Sequence, residues 1–98
     1  MGLYNVRLLK PAEIEFSEAF DWYDEKQKGL GNRFLKEVSK YLDSIADNPL
    51  KFAAKYDNEL HFAPLKIFPF VIAYWVDSDT VFVVSIFHTS RNPKKFLT

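Results

Sequence analysis

In the first half of the chain, apolar residues recur first with the period of a strand and then with the period of a helix. Residues 3–9, LYNVRLL, follow the alternation of a half-buried strand. Pro11 and Glu13 mark the first turn of a helix, because proline is tolerated there and an acid suits the helix dipole. The apolar stripe of this helix recurs at helical spacing, in Ala12, Phe16, Ala19, Phe20 and Tyr23. The pattern predicts a strand followed by a helix that ends before Gly29.

A second helix pattern follows the segment 29–31, Gly-Leu-Gly, and stops at Asn48-Pro49. Its apolar face is marked by Phe34, Val38, Leu42 and Ile45, with Leu35 and Tyr41 widening it. Two helices joined by a short glycine turn form a hairpin. We expect the apolar side of this hairpin to pack on a sheet, since the rest of the chain is strand-like.

The second half contains three strand patterns. Residues 60–63 form the first, and the following Pro64 suits the edge of a sheet, whereas residues 50–59 are a loop or the fraying start of a strand. Residues 68–76 and 81–87 are apolar on both alternating faces, which is typical of central strands, and a turn at 77–80 joins them.

If these three strands pair in chain order and the last two are both central, the N-terminal strand must lie beside the fourth. The prediction is one α+β domain over residues 1–98. A helical hairpin packs on one face of a four-stranded, mainly antiparallel sheet, with element order β-α-α-β-β-β and strand order 2-3-4-1.

Two helices cover only one face of such a sheet, although the central strands are apolar on both. Either the set Phe70, Ile72 and Tyr74 or the set Val71, Ala73 and Trp75 therefore faces outward. A contiguous aromatic patch there would be a surface for binding a partner. The alternative is that segment 50–59 and the C-terminal residues fold over it.

Composition narrows the classes of function. The chain has 98 residues, of which 48% are apolar and 17% aromatic, as in a packed domain rather than a disordered segment. It has no cysteine and two histidines, so no disulfide or thiolate nucleophile is available, and neither a metal site nor a cofactor is expected. No run approaches the ~18 apolar residues of a membrane span, and the N-terminus lacks the profile of a signal peptide. The cytoplasm is the expected location, and no membrane partner is expected.

The formal net charge is zero, with 13 basic and 13 acidic residues, but the charges are unevenly placed. Residues 13–25 contain six acids and no base, which we interpret as a solvated helix face. After Asp79 the chain contains three bases and no acid. The molecule is thus expected to have an acidic face and a basic end.

The basic end is the candidate site. A histidine after the last strand is suited to act as general acid or base, and the cations near it are suited to contact phosphate. Lys66, between the second and third strands, is expected near the same end of the sheet, whereas His61 is assigned a structural role. The candidate contacts for a target or a nucleic acid are Lys66, His88, Arg91, Lys94 and Lys95.

Several segments occur in a characteristic order along the chain. They are residues 19–23 (AFDWY), 29–31 (GLG) with 33–35 (RFL), 48–49 (NP), 68–74 (FPFVIAY) and 88–93 (HTSRNP). Together these segments resemble the RelE/ParE superfamily of type II toxin–antitoxin toxins over nearly the whole chain. The FPF-V-I-x-Y run followed at this distance by H-x-x-R-N-P is similar to the ParE-like branch. The resemblance implies the same α+β order that the pattern predicts.

The resemblance also implies a small growth inhibitor that a cognate antitoxin holds inactive, and the antitoxin would cover the apolar sheet face. RelE-type toxins cut mRNA on the ribosome, whereas ParE-type toxins poison DNA gyrase. The expected antitoxin contacts are Phe70, Ile72, Tyr74 and Trp75.

The positions that match the ribonuclease branch lack its chemistry. That branch has an arginine on the third strand and a catalytic tyrosine near the C-terminus, where this chain has Val71 and Phe96. Cleavage of a phosphodiester needs a base, an acid and cations. The residues present for all three roles are His88, Arg91, Lys94 and Lys95.

The leading hypothesis is therefore a ParE-like toxin that binds a protein target such as DNA gyrase and carries out no chemistry of its own. Two alternatives stay open. One is a ribosome-dependent mRNA interferase that uses His88 and Arg91. The other is a family member that only binds its antitoxin.

Overall fold

One strand and two helices make up the first half of the chain in the computed structural model, which describes residues 3–55 and 59–90. Strand β1 is Asn5–Leu8, helix α1 is Lys10–Lys26 and helix α2 is Leu30–Asp47, followed by a 3-10 turn at Pro49–Lys51. In the described part of the chain, neither helix has the length and apolar character required to cross a membrane. The predicted strand and helix patterns are confirmed.

Four strands follow. They are β2 at Ala54–Lys55, β3 at Leu60–Pro64, β4 at Phe70–Asp77 and β5 at Thr80–His88. The sheet order is β1-β5-β4-β3-β2, in which β1 runs parallel to β5 and the other neighbours are antiparallel. The predicted order 2-3-4-1 is confirmed for the four longer strands. The sheet gains β2, a two-residue strand that pairs with the start of β3.

Pro64 lies at a position in β3 where no sheet hydrogen bond is lost through its missing N–H. Strand β2 pairs only with Leu60 and His61, so the outer side of β3 is no longer paired with β2 at Pro64. On its inner side Pro64 lies opposite Val71 of β4. The proline thus occupies an open edge, as its position in the sequence predicted.

The turn between the helices is held by Asp24 and by close packing at Gly31. Gly29 has a left-handed φ of 89°, and its N–H donates to Asp24 Oδ1 at 3.0 Å. The N–H of Gly31 donates to the same oxygen at 3.3 Å, so α1 caps the start of α2. A Cβ on Gly31 would lie 2.9 Å from the carbonyl oxygen of Phe20. Gly31 is therefore part of α2 and permits close contact between the helices.

The helices pack on one face of the sheet around Phe34. The predicted stripe of α2 is confirmed at Phe34, Val38 and Ile45, which are buried, whereas Leu35 is 39% exposed and lies outside the core. The helix-facing side of the sheet contributes Ile72, Tyr74, Val81, Val83 and Ile86 to the same cluster. The core thus lies between the helical hairpin and β4 and β5.

Candidate functional site

His88 ends β5, and the loop between β3 and β4 lies beside it. His88 is paired with Phe70 at the start of β4, and the N–H of Thr89 donates to the carbonyl oxygen of Pro69 at 2.8 Å. Two of the five predicted contacts, Lys66 and His88, are exposed at this end of the sheet. The other three predicted contacts lie outside the described residues: Arg91, Lys94 and Lys95.

Lys66 and His88 line different grooves. His88 lines a groove of about 180 Å³ together with Phe70 and, from α1, Glu15 and Glu18. Lys66 lines a groove of about 570 Å³ along α2. The fold therefore brings these two residues to one end of the sheet but not into one site. Across residues 3–55 and 59–90, no group of three or more His, Asp or Glu side chains is placed to hold a metal ion.

The ring of His88 is oriented by Ser90. The backbone N–H of Ser90 donates to His88 Nδ1 at 3.1 Å, and Ser90 Oγ lies 2.9 Å from the same nitrogen. Because a backbone N–H can only donate, Nδ1 is the acceptor in this arrangement, and Nε2 is the nitrogen left to donate. The lone pair that a general base would use is thus already accepting hydrogen bonds. In this arrangement His88 presents an N–H donor to an occupant of the groove.

Glu15 has a structural role that its place in the acidic run did not indicate. Its Oε1 accepts hydrogen bonds from Ser85 Oγ at 2.7 Å and from the N–H of Ile86 at 3.1 Å, which joins α1 to β5. The interpretation of the whole acidic run as solvated is wrong for Glu15 and Asp24, because both accept hydrogen bonds from backbone N–H groups. The spacing of Glu15, three residues after Ala12 and four before Ala19, places it at the edge of the buried stripe.

The second histidine, His61, is buried and ties the segment after α2 to the sheet. Its Nδ1–H donates to the carbonyl oxygen of Phe52 at 2.8 Å, and its ring stacks on Tyr74 with a centroid distance of 5.0 Å. The hydroxyl of Tyr74 donates to the carbonyl oxygen of Pro49. Burial raises the pKa of Tyr74 to about 12. This cluster therefore holds the 3-10 turn against β3 and β4, and its histidine has the structural role that the sequence predicted.

Raising the pH above 10 is expected to destabilise the fold through Tyr74. The phenol ionises near a pKa of 10.0 in the unfolded chain, but its pKa is about 12 in the folded chain. The unfolded state therefore binds fewer protons between these values, so the contribution of Tyr74 is complete below pH 10 and is lost by pH 12. The free energy of unfolding should fall by roughly 2 kcal/mol across this range.

Denaturant unfolding of the wild type and of Tyr74→Phe, followed through this pH range, checks this expectation. The variant should be less stable at neutral pH, because it loses the hydrogen bond to Pro49, but its stability should fall less as the pH rises. Tyr4→Phe removes a half-buried phenol at the start of the chain and serves as the control. An equal fall in wild type and Tyr74→Phe would show that Tyr74 is not the group responsible.

The sheet face that lies away from the helices carries apolar side chains, of which Val71 and Trp75 are half-buried and Ala73 is buried. Ile72 and Tyr74 are 0% exposed beneath the helices, so they belong to the core and cannot contact a partner of the folded chain. The set Val71, Ala73 and Trp75 consequently faces away from the helices. The ring of Trp75 stacks on that of Phe82 at 4.5 Å and stays partly exposed.

Phe70 lies at the rim of the helix-facing side. Its ring is 5.0 Å from that of Phe34 in the core and 5.3 Å from that of His88. Phe70 is half-buried and lines the groove of His88. Of the four predicted antitoxin contacts, Phe70 and Trp75 therefore retain exposed surface, and they lie on opposite faces of β4.

Comparison with known proteins relates the chain to one family. The family model described as "ParE toxin of type II toxin-antitoxin system, parDE" matches residues 6–93. No curated protein sequence matches. Among solved structures, the chromosomal ParDE TA system from P. aeruginosa contains a chain that matches with a TM-score of 0.76 at 10% identity, over 88% of this chain and 96% of that chain. This likeness shows a shared fold. The predicted resemblance is confirmed: the protein belongs to the ParE toxin family of type II toxin–antitoxin systems.

Proposed function

We propose that this chain is the toxin of a type II toxin–antitoxin pair, that it inhibits growth by binding a protein target such as DNA gyrase, and that a cognate antitoxin neutralises it. Membership of the ParE toxin family supports the toxin assignment. The family is compatible with a cytoplasmic site of action.

The geometry of His88 supports binding rather than catalysis. Its Nδ1 accepts a hydrogen bond from the backbone N–H of Ser90, so in this arrangement the other ring nitrogen is available as a donor rather than as a base. Val71 supplies an aliphatic side chain in a central strand, where the ribonuclease branch has an arginine. The proposed target contacts are Lys66, His88, Arg91, Lys94 and Lys95.

The antitoxin is proposed to cover the sheet face that lies away from the helices. Trp75 and Phe82 stack there as a pair of partly exposed rings, and tryptophan is enriched among the residues that dominate binding energies at interfaces. Phe70 is a second contact only if the antitoxin also reaches the rim beside His88. A partner seated on this face would bury the aromatic pair.

Controlled expression of the chain tests the toxin assignment. Expression alone should stop growth, and co-expression of the adjacent open reading frame should restore it. The purified protein should inhibit supercoiling by DNA gyrase, and transcripts should keep their length. Normal growth without the adjacent gene would overturn the toxin assignment and favour a family member that only binds its antitoxin.

Alanine variants of the two site residues separate binding from catalysis. Under the proposal, the wild type and the His88→Ala and Arg91→Ala variants all leave RNA intact. RNA cleavage by the wild type that both substitutions abolish, while antitoxin binding persists, would overturn the proposal in favour of an mRNA interferase.

Trp75→Ala tests the antitoxin surface. The dissociation constant of the toxin–antitoxin complex should rise at least about tenfold, because truncating an aromatic side chain that dominates an interface costs about 2 kcal/mol or more and tenfold corresponds to about 1.4 kcal/mol. Trp22→Ala on α1, where Trp22 is 55% exposed, is the matched control and should leave binding unchanged. Isothermal titration with the purified antitoxin measures both, and equal effects of the two substitutions would contradict this placement.

A further inference from the structure

A groove with a basic rim runs along α2, on a different surface from the groove of His88. Its volume is about 570 Å³. Arg33, Lys36 and Lys40 project from one side of α2, since residues three and four positions apart share a helix face. Lys51, from the 3-10 turn, and Lys66, from the loop between β3 and β4, line the same groove. All five of these side chains belong to exposed residues.

The positive charge of this groove has little compensation within its own lining. Glu37 is the one acidic residue of its lining within the described part of the chain. The carboxylate of Glu37 accepts hydrogen bonds from the N–H groups of Ile67, at 2.8 Å, and Phe68, at 3.1 Å. Lys51 donates to Ser44 Oγ at 3.1 Å, which fixes one cation at the rim. The groove therefore carries a positive potential that an anionic ligand would reduce.

The floor and rim of the groove also present apolar surface. The rings of Tyr41 and Phe52 are 6.1 Å apart and half-buried in the lining. Ile67 is 68% exposed at the rim. Binding sites usually combine apolar contact area with a few polar groups that fix orientation. An occupant of this groove must therefore supply both apolar side chains and carboxylate or phosphate groups.

The charge of the whole chain favours a peptide over a nucleic acid. A nucleic acid carries a regular, dense series of phosphates and is usually bound by a strongly basic domain. This chain has a formal net charge of zero, with 13 basic and 13 acidic residues, so it lacks the excess positive charge of such a domain. A short peptide concentrates its acids within the groove and can place apolar side chains on the two rings.

We propose that the α2 groove binds an acidic segment of a protein partner. The acidic side chains of this segment pair with Arg33, Lys36 and Lys40, and its apolar side chains pack on Tyr41 and Phe52. The C-terminal residues 91–98 of this chain carry three bases and no acid, so they do not have the composition of such a segment. This site goes beyond the proposed function and does not depend on which protein the toxin inhibits.

Selection from a random peptide library tests the proposal without knowledge of the partner. The full chain, made by cell-free synthesis, is used to select peptides, and the enriched peptides are then synthesised. They should be acidic with interspersed apolar residues, and they should shift the amide resonances of α2 and of Ile67. Affinity, measured by fluorescence anisotropy, should fall as salt is added.

Two double variants, each of which replaces two basic residues with glutamate, provide the decisive comparison. Lys36→Glu/Lys40→Glu changes two exposed side chains of the rim and should weaken binding at least about tenfold. Arg7→Glu/Lys10→Glu changes the net charge equally at exposed positions outside the groove and should leave binding unchanged. Circular dichroism checks that both variants fold.

The proposal would be overturned by the absence of enriched peptides, by enriched peptides that are not acidic, by equal affinity for the two double variants, or by resonance shifts outside the groove. Tighter binding of a single-stranded oligonucleotide at the same residues would assign the groove to nucleic acid instead. The growth assay is unaffected by any of these results, so the proposed function would stand or fall separately.

Discussion

Replacing Phe34 with alanine is expected to lower the free energy of unfolding by about 3 to 5 kcal/mol. Phe34 is 0% exposed, and its ring lies 5.4 Å from Phe16, 5.3 Å from Tyr23 and Phe68, and 5.0 Å from Phe70. These four rings come from α1, β4 and the loop before β4. Because they are anchored on separate elements, they cannot close together to fill the cavity that alanine leaves. A domain of this size has about 5 to 15 kcal/mol of stability, so the loss is a large part of the total.

Denaturant unfolding followed by circular dichroism measures this loss. Leu35→Ala is the matched control, because Leu35 is the next residue of α2 and is 39% exposed. Its cost should stay below about 2 kcal/mol, since part of its side chain is already in water. Similar costs for the two substitutions would contradict the central place of Phe34 in the core.

Helical periodicity alone identifies Phe34 as a core residue. Apolar residues at helical spacing placed Phe34, Val38 and Ile45 on the buried face of α2, where all three lie. The strand order followed from a similar argument, since two strands that are apolar on both faces must be central. For residues 50–59 the pattern allows a loop or the fraying start of a strand, and it does not predict β2 as a separate strand, because two residues have no periodicity to detect.

The apolar pattern could not show which face of the sheet the helices cover. Phe70, Ile72 and Tyr74 are as apolar as Val71, Ala73 and Trp75, so alternation alone left both assignments open. The choice depends on how the helices dock on the sheet. The fold places Ile72 and Tyr74 beneath the helices, and this leaves Trp75 on the opposite face.

The functional surfaces were predicted less completely than the fold, because their contacts join distant parts of the chain. Glu15 bonds to Ser85 and Ile86, and Glu37 bonds to Ile67 and Phe68. None of these hydrogen-bond partners can be predicted from the residues that neighbour Glu15 or Glu37 in the sequence. The sequence does contain one signal for a buried Glu37. It lies three residues after Phe34, so it falls on the same side of α2 as the buried apolar residues.

Replacing Glu37 with glutamine is expected to cost about 2 to 3 kcal/mol, because a charged acceptor of two hydrogen bonds is lost from a buried position. Glu37 is 8% exposed, and each carboxylate oxygen accepts one backbone N–H, from Ile67 at 2.8 Å or from Phe68 at 3.1 Å. Glutamine keeps one acceptor oxygen and turns the other position into a donor that faces an N–H. One of the two backbone groups is then left without a partner.

Hydrogen exchange distinguishes this local effect from general destabilisation. In Glu37→Gln the amides of Ile67 and Phe68 should lose protection before those of the core strands. Asp43→Asn changes an exposed acid of the same helix, and its effect on stability should stay within about 0.5 kcal/mol. Unchanged protection of both amides would show that Glu37 does not anchor the loop.

The effect of Glu37→Gln should extend to both grooves. The loop that Glu37 holds carries Lys66 and Ile67 into the α2 groove, and its Pro69 accepts the hydrogen bond from Thr89 beside His88. Loosening this loop should therefore weaken binding of acidic peptides even though the substitution removes a negative charge from the groove. Tighter binding of acidic peptides to Glu37→Gln would show instead that removing the negative charge of Glu37 matters more than the position of the loop.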